Sequence, residues 1–401
     1  MNTLKLQPVP VIMGADPLLS QPTGIGHYTR ELANALLDQA LVADLKLFAF
    51  GKFFPQSLLQ PITPVTTAAT AVYRPTRFAR ARQVLSKSAT VVHVYEKLMP
   101  VMERLRLQAH RSSVFHSPNF FVPNFSGPVV TTFHDLSTLK YPEFHPSVRR
   151  DFANKQLEIA VRSRAHIITD SDVIKREVID TFGVAEERVT TVLLGAAREY
   201  RRRSAAECHA ALESFAVNYG QFFLFVSTIE PRKNLLRLLA AYERYLANSA
   251  RPLPFVIVGG EGWNSTAEHE QIQRLVRQGH VCYQGYVPQA TLYQLYSAAR
   301  AVLYPSIYEG FGLPALEALQ SGVPVLTSRG TSMAEIVGDH AVLVDAHDEQ
   351  AIYDGILRLA EDDTFCAELA AAGLKQAAEF SWHRCAQETA QVYRQLQEQF
   401  S

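Results

Sequence analysis

Short, uninterrupted apolar segments alternate with stretches of helical periodicity along this chain. The predicted strands of the first half are Pro10–Gly14, Val114–His116, Val129–Phe133, His166–Thr169 and Val189–Leu194. Those of the second half are Phe222–Ser227, Phe255–Val258, Val281–Tyr283, Ala301–Tyr304, Val323–Thr327 and Val342–Val344. Apolar strands that alternate with helices are typical of parallel sheets covered on both faces. The pattern therefore predicts an α/β fold built from doubly wound parallel sheets.

A polar and charged segment, Arg198–Arg203, interrupts this alternation near the middle of the chain. With 401 residues the chain is long enough for two domains that each bury a core. We therefore predict a first domain at residues 1–200 and a second at 201–380, two Rossmann-like units that face a cleft. Residues 381–401 have amphipathic periodicity and predict a final helix.

The charge and cysteine content argue against several classes of protein. Lys plus Arg and Asp plus Glu both number 39, so no overall charge favours nucleic acid as a partner. Cys208, Cys282, Cys366 and Cys385 are too scattered for a metal-ligand motif and are typical of reduced thiols. No segment approaches the roughly 18–20 apolar residues needed to span a bilayer, so we expect a cytoplasmic protein.

Residues 306–328 have the order strand end, glycine loop, helix and strand. Pro314 suits the first turn of the helix and Gly322 its end. The free N–H groups of such a helix start attract an anion such as phosphate. Glu309 and Glu317 would repel phosphate, so we expect them to face hydroxyl groups. A ligand with phosphate and many hydroxyls is a nucleotide sugar, although a plain turn with solvated glutamates would explain the same residues.

The spacing Glu309-x7-Glu317, with Gly-Phe-Gly-Leu-Pro between the acids, resembles the signature of the retaining glycosyltransferases of family 4, which have the GT-B fold. The resemblance implies that Glu309 holds the donor sugar and Glu317 the ribose. The anion site expected at the helix start then places the donor diphosphate on the loop Gly310, Phe311, Gly312 and Leu313. It also implies that the final helix crosses back to the first domain, while packing on its own domain fits the periodicity nearly as well.

Two adjacent cations, Arg232 and Lys233, follow the strand Phe222–Ser227 at the start of a helix. Cations at a helix N-terminus oppose the helix dipole, which indicates an anion for them to neutralise. In the family that the chain resembles, an Arg and a Lys at these positions bind the donor diphosphate. The alternative is a pair of solvated surface cations.

The loop after the first predicted strand contains Gly24 and Gly26 but lacks the third glycine of a dinucleotide fingerprint. The family places such a loop over the donor phosphates. The family pattern more often has a cation where His27 stands, which leaves phosphate contact from this side chain open. Asp16, at the end of the same strand, either orients the loop or caps local N–H groups.

Further polar residues follow other predicted strands. His134 and Asp135 follow the strand that ends at Phe133, and the resemblance implies that His134 contacts the donor sugar. Asp135 either orients the imidazole or caps a turn. Asn119 is a weaker candidate for the cleft. Gly260 follows the strand Phe255–Val258 and permits close approach of a base or ribose, although a plain turn explains it equally well. Tyr286 lies in a region that the family places against the nucleobase.

The segment 74–111 contains nine cations and two acids, interleaved with apolar and aromatic side chains. The cations are Arg74, Arg77, Arg80, Arg82, Lys87, Lys97, Arg104, Arg106 and Arg111. Such a stretch suits peripheral contact with an anionic membrane or a lipid-diphosphate acceptor, and a solvated helix face is the alternative. The resemblance favours an acceptor role, because this part of GT-B enzymes commonly handles the acceptor.

Together these features predict transfer of a hexose from a nucleotide sugar to a hydroxyl of a lipid-linked or growing polysaccharide. Because both glutamates hold hydroxyls, same-face attack with retention fits better than double displacement. We recognise no Asp-x-Asp metal site and expect no required metal or other cofactor. Gly24–Leu32 resembles bacterial O-antigen and exopolysaccharide enzymes, many of which use GDP-mannose. A GDP-deoxyhexose such as rhamnose and a UDP-sugar are alternative donors.

Two other classes of function remain open at this point. A glycoside hydrolase would use Glu309 and Glu317 as acid and nucleophile, but it leaves the paired cations Arg232 and Lys233 unexplained. A non-catalytic protein that binds nucleotide sugars would keep the same residues without turnover.

Overall fold

The computed structural model describes residues 8–19, 24–60 and 101–400, which contain two parallel sheets. The strands of the first sheet are β1 (Val9–Gly14), β2 (Val42–Ala49), β3 (Lys52–Phe54), β4 (Val114–Ser117), β5 (Val129–Phe133), β6 (His166–Thr169) and β7 (Val189–Thr191). Their order is β3-β2-β1-β4-β5-β6-β7. β3 pairs antiparallel with β2, and the other pairs are parallel.

The strands of the second sheet are β8 (Phe223–Val226), β9 (Phe255–Val258), β10 (Val281–Gln284), β11 (Ala301–Tyr304), β12 (Val325–Ser328) and β13 (Val342–Val344). Their order is β10-β9-β8-β11-β12-β13, with every pair parallel. β8, β9, β11 and β12 are almost fully buried, as strands covered by helices on both faces must be, and apart from Thr327 and Ser328 at the end of β12 they are apolar or aromatic.

Helices connect the strands in both sheets. In the first half they are α1 (Gly24–Asp38), α2 (Ser137–Lys140), α3 (Ser147–Arg162) and α4 (Asp172–Phe182). In the second half they are α5 (Ala205–Phe215), α6 (Leu235–Asn248), α7 (Thr266–Arg277), α8 (Gln289–Ala298), α9 (Leu313–Gln320), α10 (Ser332–Val337), α11 (Glu349–Glu361), α12 (Asp363–Ala377) and α13 (Trp382–Phe400). Residues 101–107 are also helical.

The predicted α/β fold with two doubly wound parallel sheets is confirmed, and each predicted strand is present with small differences in its ends. β2 and β3 were not predicted from the sequence. In β2 the exposed Asp44 and the half-buried Lys46 interrupt the apolar run, because this strand lies near the edge of its sheet. The limits of the predicted domains, 1–200 and 201–380, stay predictions.

The strand order reverses once in each sheet, between β1 and β4 and between β8 and β11. At such a point the loops after the two neighbouring strands leave in opposite directions and open a crevice at the carboxyl ends of the strands. The loop after β8 carries Arg232 and Lys233, and the loop after β11 carries Glu309. Two predicted parts of the site, 77 and 76 residues apart in sequence, therefore meet at the crevice of the second sheet.

The final helix α13 packs against α1, β1 and β4 of the first sheet. The Tyr393 hydroxyl lies 2.5 Å from Nδ1 of His116 on β4, and the Gln39 side-chain amide donates to the carbonyl of His383 at 3.0 Å. A Cβ atom on Gly195 would lie 2.2 Å from the Trp382 backbone nitrogen, so only a glycine allows this close approach. The amphipathic face of α13 is thus buried on the first sheet.

Candidate functional site

Glu309 is the centre of a buried cluster of charged and hydroxyl groups. It is 8% exposed. The Lys233 ammonium lies 2.6 Å from Oε1, and the Arg232 guanidinium donates to Oε2 at 3.0 Å. The hydroxyls of Tyr304 and Ser306 also donate to Oε1, at 2.9 and 2.7 Å. Both oxygens of this carboxylate are therefore occupied by donors from two neighbouring strand ends.

The two loops that form this cluster are tied together by their own polar groups. Asn234 adopts a left-handed conformation with φ 61°, which ends the turn that carries the cations. Its side-chain amide donates to the carbonyls of Pro305 and Ala346 at 2.9 and 2.6 Å. The Arg232 carbonyl accepts the Ile307 N–H at 2.9 Å. The relative position of cations and carboxylate is thus fixed by backbone contacts as well as by ion pairs.

A second carboxylate, Glu230, completes the charge balance. It is 2% exposed and accepts from Arg232 at 2.8 Å. Burial alone would raise the pKa of Glu309, but Arg232 and Lys233 outweigh burial and lower it to about 2. Burial and the charge of Arg232 would lower the pKa of Lys233, but Glu309, Tyr304 and Glu230 together raise it. In this state two cations face two carboxylates, so a diphosphate would have to compete with Glu309 for its countercharge.

Glu317 lies on α9, away from these cations, and has a different electrostatic state. It is 9% exposed, and burial raises its pKa to about 7, although the hydroxyls of Tyr296 and Tyr200 act in the opposite direction. A carboxyl group with this pKa exists in both forms near neutral pH, so it can accept from or donate to a sugar hydroxyl. The two predicted glutamates are therefore not equivalent: Glu309 is fixed as an anion and Glu317 is not.

The raised pKa of Glu317 predicts a pH dependence of stability. The folded state holds this proton more tightly than the unfolded state, so the stabilisation is complete below pH 4.5 and is lost as the pH rises to about 7. Glutamine does not titrate, so Glu317→Gln should not show this loss. Between pH 4.5 and 8 we expect the free energy of unfolding of the wild type to fall by roughly 3 kcal/mol more than that of Glu317→Gln. Denaturant unfolding at several pH values measures the difference. Parallel pH profiles for both proteins would contradict the assignment.

The predicted phosphate loop lies directly against the first sheet. A Cβ atom on Gly310 would lie 1.7 Å from the carbonyl oxygen of His134. The Ser171 hydroxyl donates to the Gly310 carbonyl at 2.9 Å. Gly312 has φ 104° and precedes α9, which begins at Leu313. Pro314 has no N–H, and the Ala315 N–H donates to the Gly312 carbonyl at 2.9 Å. Of the first three residues of α9, Leu313 is therefore the one that can offer its N–H beside the wall from the other sheet.

His134 and Asp170 follow neighbouring strands, since Phe133 pairs with Thr169. The Nδ1 atom of His134 lies 2.6 Å from an Asp170 oxygen, and Nε2 lies 2.9 Å from the Pro118 carbonyl. Burial alone would lower the pKa of His134, but Asp170 raises it. An imidazolium, which has an N–H donor on each nitrogen, satisfies both of these acceptors. The part of His134 that faces the Glu309 loop is its carbonyl oxygen.

Asp135 and Asn119 both make local contacts. Oδ1 of Asp135 accepts the Ser137 N–H at 2.9 Å, which is the predicted turn cap. Burial alone would raise the pKa of Asp135, but Arg232 and the Ser137 bonds lower it, so Asp135 also adds negative charge near the cation pair. Oδ1 of Asn119 accepts the Phe120 N–H at 2.9 Å. Asp135 therefore lies beside the cluster, whereas the amide oxygen of Asn119 serves its own loop.

The helix α1 begins at Gly24, so the predicted glycine loop is the start of this helix. A Cβ atom on Gly24 would meet nothing within 4 Å, while Gly26 is buried. Burial, with a smaller effect of Arg30, lowers the pKa of His27 to about 4. Its ring packs edge-on against Trp382 of α13, with centroids 6.2 Å apart. His27 is thus a neutral packing residue in this structure.

The end of β1 lies close to the described part of the predicted acceptor segment. Burial raises the pKa of Glu103 to about 7, and the charge of Asp16 adds to this effect. Within that segment Val101 and Leu105 are 55% and 66% exposed, beside the exposed Arg104. Residues 74–100, which carry most of the predicted basic stretch, lie outside the described residues.

Tyr286 and Gly260, the two residues predicted near the base or ribose, differ in the surroundings that the fold gives them. Tyr286 is 67% exposed, so its ring is free to stack on a base. A Cβ atom on Gly260 would meet nothing within 4 Å, so this position does not require glycine. The neighbouring Gly259 has φ 152°, and a Cβ atom there would lie 1.7 Å from the Ser227 carbonyl oxygen. The close approach after β9 therefore belongs to Gly259.

Asp170, Ser171 and Asp172 do have the Asp-x-Asp spacing that the sequence analysis did not recognise. In the fold their side chains separate: Asp170 pairs with His134, whereas Asp172 accepts the Thr191 hydroxyl at 2.5 Å. Ser171 caps α4. Across the residues that the structure describes, no three His, Cys, Asp or Glu side chains form a group suited to a metal ion.

Several residues of the site were missed by the sequence analysis, namely Glu230, Tyr304, Ser306, Tyr308 and Asp170. Four of them lie within five residues of Arg232 or Glu309, and Tyr308 is directly beside Glu309, so their closeness in sequence was an available signal. The sequence signal for Asp170 was weaker: this residue follows a predicted strand, as His134 does. The sequence does not show in which direction these side chains project. That direction brings their polar atoms to the cluster.

Comparisons with known proteins agree with the predicted family. The model described as Glycosyltransferase Family 4 matches residues 22–200, and the model described as Glycosyl transferases group 1 matches residues 214–376. The O-antigen chain mannosyltransferase B of Escherichia coli is 35% identical over 96% of this chain and 100% of its own length. A serotype-specific mannosyltransferase of the same organism is 28% identical over 67% of this chain and 34% of its own length.

Solved structures show the same fold at low sequence identity. HepE of Anabaena, in complex with UDP and glucose, superimposes with a TM-score of 0.65 at 19% identity, over 96% of this chain and 99% of its own. WaaG, a glycosyltransferase involved in lipopolysaccharide biosynthesis, has a TM-score of 0.66 at 14% identity over the same shares. No helix in the described ranges has the length and apolar character required to cross a bilayer.

Proposed function

This chain belongs to family 4 of the glycosyltransferases and has their GT-B fold, and from that premise we propose that it transfers mannose from GDP-mannose to a hydroxyl of a lipid-linked or growing polysaccharide. The observation that carries the proposal is the buried cluster of Arg232, Lys233 and Glu309 at the crevice of the second sheet. The choice of mannose rests on the full-length similarity to an O-antigen chain mannosyltransferase.

In the proposed reaction the donor diphosphate binds beside the cluster. Arg232 and Lys233 supply positive charge where the leaving diphosphate gains negative charge, and the N–H groups of Phe311, Gly312 and Leu313 add to it. This countercharge comes from the protein, so we propose that no divalent ion is required. The helix start and the cations approach the same place, because β8 and β11 are neighbours.

Glu309 has the properties of a sugar-holding carboxylate. Its pKa of about 2 makes it a poor acid near neutral pH, and both oxygens already accept from other groups. To act as a nucleophile it would have to break its pairs with Arg232 and Lys233. We therefore propose that the configuration is retained through same-face attack, with a donor phosphate oxygen taking the acceptor proton. Glu317 binds the ribose in this scheme.

The same observations weigh against a glycoside hydrolase. That reaction needs one protonated carboxyl group and one free carboxylate on opposite sides of the bond. Glu317 has a suitable pKa of about 7, but Glu309 is enclosed by cations and hydroxyls. A GDP-deoxyhexose or a UDP-sugar remains the second candidate donor, since HepE, with the same fold, was solved with UDP and glucose.

A thermal-shift panel tests the donor assignment. We expect GDP-mannose to raise the melting temperature more than GDP, UDP, UDP-glucose or an ADP-sugar at equal concentration, because a ligand that binds only the folded state stabilises it by mass action. The shift should survive an excess of chelator. A larger shift with a UDP-sugar would change the donor, and no shift with any nucleotide at saturation would contradict the proposed function.

We further propose cytoplasmic localisation with peripheral contact at the inner face of the plasma membrane through 74–111. The described end of this segment supports the idea, because exposed apolar side chains alternate there with exposed cations: Val101, Arg104, Leu105 and Arg106. Cosedimentation with anionic and with zwitterionic vesicles measures the contact. If the protein bound neither kind of vesicle, the proposed contact would be contradicted.

A further inference from the structure

Tyr308 belongs to the loop after β11, yet its ring is buried in the core of the first half of the chain. The residue is 5% exposed and packs in one apolar cluster with Phe133, Leu136, Ile174 and Val178. The ring of Tyr141 lies 5.3 Å away, centroid to centroid. The loop that carries Glu309 therefore inserts an aromatic side chain between β5, α2 and α4.

The hydroxyl of Tyr308 both donates and accepts a hydrogen bond in this position. It donates to Oε2 of Glu177 on α4 at 2.6 Å and accepts the Leu136 N–H at 3.1 Å. The other oxygen of Glu177 lies 3.6 Å from the Lys140 ammonium. Every one of these partners belongs to the first half of the chain. The pocket thus recognises a phenol by shape and by two directed hydrogen bonds, so the contact has one defined geometry.

The inserted residue is joined directly to the sugar-holding carboxylate. Glu309 follows Tyr308 in sequence, and one guanidinium nitrogen of Arg232 donates both to the Tyr308 carbonyl, at 2.7 Å, and to the Glu309 carboxylate. On the other side, Ser171 of the first sheet holds the carbonyl of Gly310. The peptide that positions Glu309 is therefore fixed at both ends by contacts to the first half of the chain.

We propose that Tyr308 is a positioning residue that couples the docking of the two sheets to the alignment of Glu309. Separation of the two halves withdraws the ring and releases the Glu309 loop, and docking restores both. This inference deepens the proposed function, because it assumes that Glu309 holds the donor sugar. Under this proposal, binding of the bare diphosphate depends on the second half alone. Recognition of the sugar requires both halves to be docked.

Hydrogen exchange without ligand tests the mechanical part. In Tyr308→Phe, which keeps the ring but loses both hydrogen bonds, we expect amide exchange in peptides covering 305–313 and Leu136 to rise about three- to tenfold. Trp263→Phe is the matched control, because it removes another contact between the halves, the indole N–H bond to the Phe144 carbonyl at 2.7 Å. Unchanged exchange of 305–313 in Tyr308→Phe, or an equal rise in Trp263→Phe, overturns the proposal.

Ligand binding tests the functional part. We expect Tyr308→Phe to bind GDP like the wild type but to lose most of the added affinity for GDP-mannose, with a fall in kcat of about tenfold or more. Glu177→Gln keeps an acceptor for the phenol and should resemble the wild type, whereas Glu177→Leu should resemble Tyr308→Phe. Equal effects of both Glu177 variants, or an unchanged preference for GDP-mannose in Tyr308→Phe, overturn the proposal. If the wild type itself binds no nucleotide, the proposed function fails, and the exchange experiment still decides the mechanical coupling.

Discussion

Replacement of Arg232 by alanine is expected to lower kcat/KM by about 10²–10³-fold and to weaken binding of the bare nucleoside diphosphate. Arg232 supplies the countercharge for the leaving diphosphate and connects the Tyr308 carbonyl with the carboxylates of Glu230 and Glu309. Loss of its charge leaves two buried carboxylates with Lys233 as their remaining close cation. Steady-state kinetics and calorimetric titration with the diphosphate measure both effects.

The same substitution should also destabilise the fold. Removal of one partner from a buried ion pair costs about 3–5 kcal/mol, since it leaves an uncompensated charge. Arg244→Ala is the matched control: Arg244 is 41% exposed in its pair with Glu349, so its loss should change stability by less than about 1 kcal/mol. Wild-type binding of the diphosphate by Arg232→Ala would contradict the assigned role, whatever the change in stability.

Replacement of Glu309 by glutamine is expected to abolish most transfer, by about 10²–10³-fold, while bare nucleoside diphosphate binds more tightly than to the wild type. The carboxylate neutralises Arg232 and Lys233 in the free protein. The neutral amide frees both cations for phosphate, so we expect the dissociation constant to fall about three- to tenfold. The preference for GDP-mannose over GDP should shrink, because the amide no longer accepts from sugar hydroxyls as a carboxylate does.

Glu230→Gln is the control for this prediction. It removes a carboxylate from the same guanidinium, so it should also tighten binding of the bare diphosphate, but it should keep the preference for the sugar conjugate. The comparison separates a general charge effect from a direct contact with the sugar. If both variants lost the preference equally, Glu309 would be only a countercharge for the cations.

The fold was largely predictable because its signals are local. Buried strands of a doubly wound sheet are short apolar runs, and such runs lie within or directly beside β4 to β13; those of β7 follow the strand, at residues 192–194. β2 was missed because the exposed Asp44 and the half-buried Lys46 interrupt its apolar residues, as in a strand that is covered less completely. The loop order of residues 306–328 was also predictable, since proline and glycine restrict the backbone in known ways.

The partners within the site were less predictable, because they come from distant parts of the chain. His134 has the sequence position of a ligand-binding histidine, yet its two nitrogens are taken by Asp170 and Pro118. His27 stands where the family more often has a cation, and burial against Trp382 keeps it neutral. In both cases the local sequence identifies the position and the packing of other segments decides the chemistry.

The sequence by itself determined the strands, the loops that follow them and the glutamates, cations and glycines that these loops carry, because backbone preference and apolar periodicity depend on neighbouring residues. Only the tertiary structure decided which charges pair. Glu309 meets Lys233 across 76 residues, and Tyr308 reaches Glu177 across 131. Such contacts depend on sheet order and side-chain direction, which no short segment encodes. The fold therefore decided that Glu309 is a fixed anion and that its loop is docked on the first sheet.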